Sequence, residues 1–204
     1  MPKQRFADMP DKNLYIIAGC NGAGKTTASF TILPEMLDCR EFVNADEIAR
    51  GLSPFQPDTV AFEAGRIMLH RVDELLNRGV SFALETTLAT KIYQQKIRVA
   101  QQQGYTVILL FFWLNSPELA QERVKTRVIE GGHSIAPEVI DRRYWLGINR
   151  LFDNYLPIVD EAMLFDNSNG ESVLLARKLS TGFQVINDTL YQKLKNQYDS
   201  RAAT

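Results

Sequence analysis

Leu14-Tyr15-Ile16-Ile17-Ala18-Gly19-Cys20-Asn21-Gly22-Ala23-Gly24-Lys25-Thr26-Thr27 is the stretch that decides the fold. Its first five residues are a continuous apolar run, the pattern of a strand buried on both faces. Gly19 to Thr26 then fit G-x-x-x-x-G-K-[ST], the Walker A loop. Such a loop needs glycine because its backbone N–H groups turn inward around a phosphate, at positive φ angles that a Cβ disfavours. Lys25 is spaced to reach the β- and γ-phosphates, and the Thr26 hydroxyl to ligate Mg²⁺. Thr26 to Leu33 can open a helix behind the loop, completing strand, loop and helix. Gly19, Asn21, Gly22, Ala23, Gly24, Lys25, Thr26 and Thr27 are therefore the expected cradle for ATP, with Thr26 on the metal.

Outward from that loop, apolar runs alternate with helix-like segments. Glu41–Asn44, Ser81–Glu85, Tyr105–Leu114 and Ala162–Phe165 read as strands, and Ser172–Leu179 adds a further candidate. Helices are expected over Lys25–Leu33, Asp58–Arg78, Lys91–Gln102, Pro117–Glu130 and Pro137–Leu156, with a last one near Asn187–Tyr198. This alternation predicts an α/β fold: a doubly wound parallel sheet of the P-loop NTPase type, with flanking helices and a small lid. The 204 residues, 45% of them hydrophobic, suit a single α/β domain over residues 1–204, with its core at about 14–180, a short N-terminal tail and a C-terminal helix.

A formal net charge of −1 gives no bulk attraction to nucleic acid or to an anionic membrane, so neither is an expected partner. Cys20 and Cys39 do not form a metal-ligand spacing, and a disulfide from inside the phosphate loop is awkward, which suits a reducing cytoplasm. Residues 1–8 lack the apolar centre of a signal peptide, and no apolar run approaches the ~18 residues of a membrane span.

Two acids follow expected strands, where ligands gather in parallel α/β sheets. Asp46 comes after Glu41–Asn44 and reads either as a helix N-cap for Glu47-Ile48-Ala49-Arg50 or as the base that takes a proton from an acceptor hydroxyl. Glu85 ends Ser81–Glu85 beside Thr86 and Thr87; it reads as a loop acid, a holder of Mg²⁺-bound water or a partner of the acceptor hydroxyl. Phosphoryl transfer also needs charge that follows the developing equatorial oxygens, which arginine supplies bidentately. Arg127, Arg142 and Arg143 flank the connector Glu130-Gly131-Gly132-His133-Ser134-Ile135-Ala136 and are the candidates, on a lid that would close over phosphates. Arg123 shares a helix face with Arg127 and is a candidate to stack on adenine. His133 is a candidate phosphate or substrate contact. His70, Trp113 and Trp145 fit ordinary amphipathic and packing positions.

Read together, Gly22-Ala23-Gly24-Lys25-Thr26-Thr27, Val43-Asn44-Ala45-Asp46, Glu85-Thr86-Thr87-Leu88, and Gly131-Gly132-His133 leading to Arg142-Arg143-Tyr144 resemble the zeta-toxin family, in particular its compact bacterial members. The resemblance runs from about Leu14 to Asn169. It implies a kinase that moves the γ-phosphate of ATP to the 3′-hydroxyl of the amino sugar in UDP-N-acetylglucosamine. It further implies Asp46 as base, Lys25 as the phosphate-loop lysine, the lid arginines as charge stabilisers, and Asp46, Glu85, Thr86 and His133 at the acceptor. An antitoxin protein is an implied partner. The chain is shorter than the larger plasmid-encoded toxins, and its Gly-Gly-His lid does not align arginine for arginine with theirs. Two other readings stand beside this one: a kinase of another nucleotide acceptor such as NAD or a nucleoside, and a nucleotide-binding interaction module regulated by an antitoxin. A transport ATPase is disfavoured by the lack of a Leu-Ser-Gly-Gly-Gln-like segment.

Overall fold

The structure is a computed structural model that describes residues 12–132 and 134–202. Strand β1 (Asn13–Gly19) is buried along its whole length, as its unbroken apolar sequence requires. It lies between β3 (Phe82–Thr86) and β4 (Thr106–Trp113), and both pairings are parallel. Outside them run β2 (Phe42–Val43), parallel to β3, and β5 (Glu161–Asp166), parallel to β4. Helices α1 (Lys25–Met36), α2 (Ala45–Leu52), α3 (Ala61–Arg78), α4 (Tyr93–Gln102), α5 (Pro117–Ile129), α6 (Pro137–Arg150) and α7 (Asp188–Ala202) follow in chain order.

Two more strands, β6 (Val173–Leu179) and β7 (Gly182–Val185), complete a seven-stranded sheet ordered β2-β3-β1-β4-β5-β6-β7. Both are antiparallel to their neighbours, so the sheet is mixed rather than wholly parallel as the sequence suggested. The physical reason is the connection. Only Asn167 to Ser172 separate β5 from β6, far too few for the crossover that a parallel return needs. Strand β7 was not legible as an apolar run, because all four of its residues are exposed.

Two expected helices are interrupted. The segment from Asp58 begins as a 3₁₀ turn, Pro57–Val60, before α3. The segment Pro137–Leu156 is α6 followed by a π-helical turn, Leu151–Tyr155, whose wider spacing lets the Leu156 amide donate to the Leu151 carbonyl at 2.8 Å. Helix α6 is fixed to the sheet by the buried Tyr144, whose hydroxyl donates to the Leu114 carbonyl at 2.7 Å. Gln197 of α7 accepts from Trp113 Nε1 at 2.9 Å and donates to the Asn115 carbonyl at 2.7 Å, which ties α7 to the same strand end. Among the described residues, no helix is long and apolar enough to cross a membrane.

Candidate active site

The phosphate loop leaves the C-terminal end of β1 at the centre of the sheet, beside the ends of β3 and β4. Gly19 holds a φ of 146°, and a Cβ there would lie 2.3 Å from the Phe112 carbonyl oxygen of β4, so packing alone excludes any side chain. Gly24 adopts φ 81° as the N-cap of α1. Its missing Cβ leaves room for Asn167, whose Nδ2 donates to the Ala23 carbonyl at 2.7 Å. No side chain caps α1, so its first N–H groups remain available to an anion at the positive end of the helix.

Behind the loop is a buried polar cluster drawn from three elements. Glu85 Oε2 accepts from Thr26 Oγ1 at 2.8 Å and from Asn44 Nδ2 at 3.0 Å, and Oε1 stands 3.5 Å from Lys25 Nζ. Lys25 Nζ also donates to the Cys20 carbonyl at 3.0 Å. Lys25 and Glu85 are only 6% and 9% exposed, so each offsets the other's loss of hydration. A hydroxyl and a carboxylate that already meet across the loop are hard oxygen donors of the kind Mg²⁺ takes alongside nucleotide phosphates. Thr26 and Glu85 therefore fit the metal that the loop implies.

Asp46 is joined to this cluster through Asn44, two residues before it. The N-cap of α2 is Asn44, whose Oδ1 accepts the amides of Asp46 at 2.8 Å and Glu47 at 3.4 Å. Asp46 occupies the second helical position instead, half-buried, and its carboxylate has no hydrogen-bond partner among the described residues. The capping alternative for Asp46 is thus taken over by its neighbour. Thr86 is buried, with its hydroxyl accepting the Leu88 amide at 3.0 Å in a turn that puts Leu88 at φ 55°.

The arginines separate. Arg143 of α6 donates from Nη1 to Asn21 Oδ1 in the phosphate loop at 3.2 Å. Arg142, about 100° further round the helix, is exposed and without a hydrogen bond among the described residues. Arg127, near the end of α5, buries Nε and Nη2 with no partner, a state that costs free energy until an acceptor arrives. Arg123 packs its Cβ where one on Gly22 would come within 3.2 Å, and it donates to the Ser168 carbonyl at 2.9 Å. It therefore borders the loop on the side away from Asp46. Thr27 is exposed on the first turn of α1. His133 lies outside the described residues.

The zeta-toxin family model matches residues 2–169. The chain belongs to the zeta-toxin family. A relative from Haemophilus influenzae is 30% identical over 146 residues, covering 71% of this chain and all of the relative. In solved structures the same fold occurs in AvrRxo1-ORF1:AvrRxo1-ORF2 with sulphate ions, at a TM-score of 0.74 and 20% identity over 90% of this chain. This chain spans only 63% of that one's length. It also occurs in the PezAT chromosomal toxin–antitoxin system of Streptococcus pneumoniae, at a TM-score of 0.60 and 14% identity, covering 97% of this chain and 90% of that one.

For this zeta-toxin family member, sequence reasoning missed two residues that the fold brings to the loop. Asn44 links α2 to Glu85 and thereby fixes Asp46, yet in the sequence it carried no role of its own beyond ending a short strand and standing in the Val43-Asn44-Ala45-Asp46 motif. Asn167 braces Ala23 across 144 positions of chain. Its only local signal is the turn-like Asp166-Asn167-Ser168-Asn169-Gly170 that follows an apolar run.

Proposed function

We propose that this chain is an ATP-dependent kinase that transfers the γ-phosphate to a sugar hydroxyl, with the 3′-hydroxyl of UDP-N-acetylglucosamine as acceptor. The observation that carries the reading is the free Asp46 carboxylate, held by Asn44, which itself donates to Glu85 of the Lys25–Glu85–Thr26 cluster. A carboxylate so placed and unpaired can take a proton, and a base within reach of the phosphate loop is what an alcohol acceptor needs. Lys25 neutralises the β/γ-phosphate charge, and Arg127 and Arg143 supply positive charge as the phosphoryl group moves. Mg²⁺ held at Thr26 and Glu85 would supply further charge neutralisation at the β- and γ-oxygens. In this reading Glu85 serves the metal rather than the acceptor, since its oxygens already face Thr26 and Lys25. A cytoplasmic location is part of the proposal, supported by the need of this reaction for ATP and a nucleotide sugar together.

An antitoxin partner is part of the proposal, supported by family membership and by the toxin–antitoxin system named for the Streptococcus pneumoniae structure. The test is a radiolabelled ATP assay against nucleotide sugars, nucleosides and NAD. Label on UDP-N-acetylglucosamine is expected. Label confined to a nucleoside or NAD would replace the acceptor, and no transfer to any of them would favour the interaction module.

A further inference from the structure

Strand β7 is the last of the sheet, so among the described residues its outer edge pairs with no other strand. Which backbone groups face that edge follows from the ladder with β6. The Ile186 amide donates to the Leu175 carbonyl at 2.8 Å, Val185 stands opposite Ala176, and Gln184 opposite Arg177. Hydrogen-bonded and non-hydrogen-bonded pairs alternate along antiparallel strands. Gln184, two residues before Ile186, therefore turns its N–H and C=O to β6, whereas Phe183 and Val185 turn theirs to the open edge.

The side chains agree with the backbone. Phe183 and Val185 are each 42% exposed, and Ile186 is 51% exposed. Phe183 and Val185 share one face of the strand, beside Tyr191 of α7, whose ring lies 5.7 Å from that of Phe183. From Ser180 to Asn187 there is neither a charged residue nor a proline, the residues that ordinarily blunt an edge. The opposite edge differs: β2 has only two residues and follows Glu41, which pairs with Arg71 and Arg78.

We infer that β7 is an interface between two copies of this chain, joined edge to edge as an antiparallel pair about a two-fold axis at Gln184. A two-fold pairing sets the same residues against each other from both sides, which for two strands means antiparallel. With the axis at Gln184, Phe183 of each copy stands opposite Val185 of the other, and all the outward N–H and C=O groups of these residues find partners. An axis at Phe183 would set Val185 against Thr181 of the turn. One at Val185 would set Phe183 against Asn187, whose amide is already given to Leu175. The Phe183–Val185 contacts add aromatic packing on a β-branched side chain. With a formal charge of −1 on each chain, repulsion between copies is small. Four residues of strand are far fewer than the ~20–30 a side of a standard interface, so the association belongs to the weak, micromolar class. Strands β4, β5 and β6 separate β7 from β1, so the phosphate loop of each copy lies away from the joint.

Sedimentation velocity on the full chain, from about 1 to about 500 µM, brackets the micromolar range. Wild type should pass from monomer to dimer with no larger species, because the pairing uses up the β7 edge of both copies. Val185→Lys supplies the edge charge that the strand lacks, and should weaken the dimer about tenfold or more, since symmetry places the change on both sides of the axis. Its melting temperature in dilute solution should match wild type. A cross-link tests the register without relying on a disruptive variant. Gln184→Cys sets the thiols of the two copies in a non-hydrogen-bonded pair, with Cα atoms about 4.5 Å apart and within disulfide reach. Mild oxidation should join this variant covalently. Phe183→Cys, whose copies stand diagonally at about 7–8 Å, should join far less. Cys20 and Cys39 are buried and stay out of this reaction. Wild type that remains monomeric across the range overturns the inference, and a strand of another protein as the natural occupant would show itself in that way. A dimer that Val185→Lys leaves intact overturns it too, as does a cross-link no faster at 184 than at 183.

Discussion

At the scale of single residues, Asp46 and Asn44 divide a task that the sequence left to one of them. Both residue types cap helices well, and nothing in Val43-Asn44-Ala45-Asp46 says which one does. With Asn44 as the cap, Asp46→Asn removes a base without removing a cap. It forfeits only the favourable charge near the helix N-terminus, about 0.3–1 kcal/mol. Expected is a fall in kcat of about 10²–10⁴-fold with ATP affinity and melting temperature nearly unchanged. Near wild-type turnover would remove Asp46 from proton transfer and make Glu85 the next candidate. Cys20 offers a pH test. Burial pushes its thiol from 9.0 up to about 11, against a smaller opposing pull from Lys25. Below pH 9 both folded and unfolded states hold the proton, so nothing is lost. Between pH 9 and 11 the unfolded chain releases it while the folded chain keeps it, and stability falls as pH rises. Melting curves across that window should be steeper for wild type than for Cys20→Ala. Equal slopes would show that the thiol does not contribute to the alkaline loss.

Among the elements, α6 is where a one-residue difference in register separates two adjacent arginines. Tyr144 is anchored to Leu114, Gly147 lies against Thr87, and Asp141 accepts from Gln121 of α5 at 2.7 Å, so the rotation of the helix is fixed from three sides. Arg143 then faces Asn21 and Arg142 faces solvent. Arg143→Ala should lower kcat/KM about 10- to 100-fold, whereas Arg142→Ala should stay within about twofold. Initial rates over a range of ATP concentrations check this, and equal losses in both variants would mean the helix turns on binding. Sequence had put both arginines forward because it saw their neighbourhood but not the rotation of the helix. The same limit explains the other misses. Strands β1, β3 and β4 were legible because burial on both faces leaves an unbroken apolar run. Strand β7 is exposed and pairs only with β6, so its sequence carries no such signature. The phosphate loop was legible because glycine, lysine and threonine at fixed spacing have few other uses. Asn167 acts through a contact that only the folded chain creates.

On the scale of the whole molecule, the site is assembled from both halves of the chain, and this bears on how the protein unfolds. The loop after β1 takes Asn44 and Glu85 from the β2–β3 side, Arg143 from α6 and Asn167 from the end of β5. The sheet is continuous from β2 to β7, and α7 returns to fasten the end of β4 through Gln197. We propose that the chain is one cooperative unit, since no part can open without breaking the pairings around β1 and β4. A single calorimetric transition is expected. Filling the site should then stabilise the whole chain: ATP at a hundred times its Kd adds about 2.7 kcal/mol to the folded state. For a chain of this size that is a rise in Tm of roughly 5–10 °C. Lys25→Ala should remove most of the rise, because the ammonium that meets the β/γ-phosphates is gone. Two resolved transitions, only one of them moved by ATP, would show instead that the strands beyond β4 form a separate unit, and that Asn167 and Arg143 reach the phosphate loop across a boundary between units.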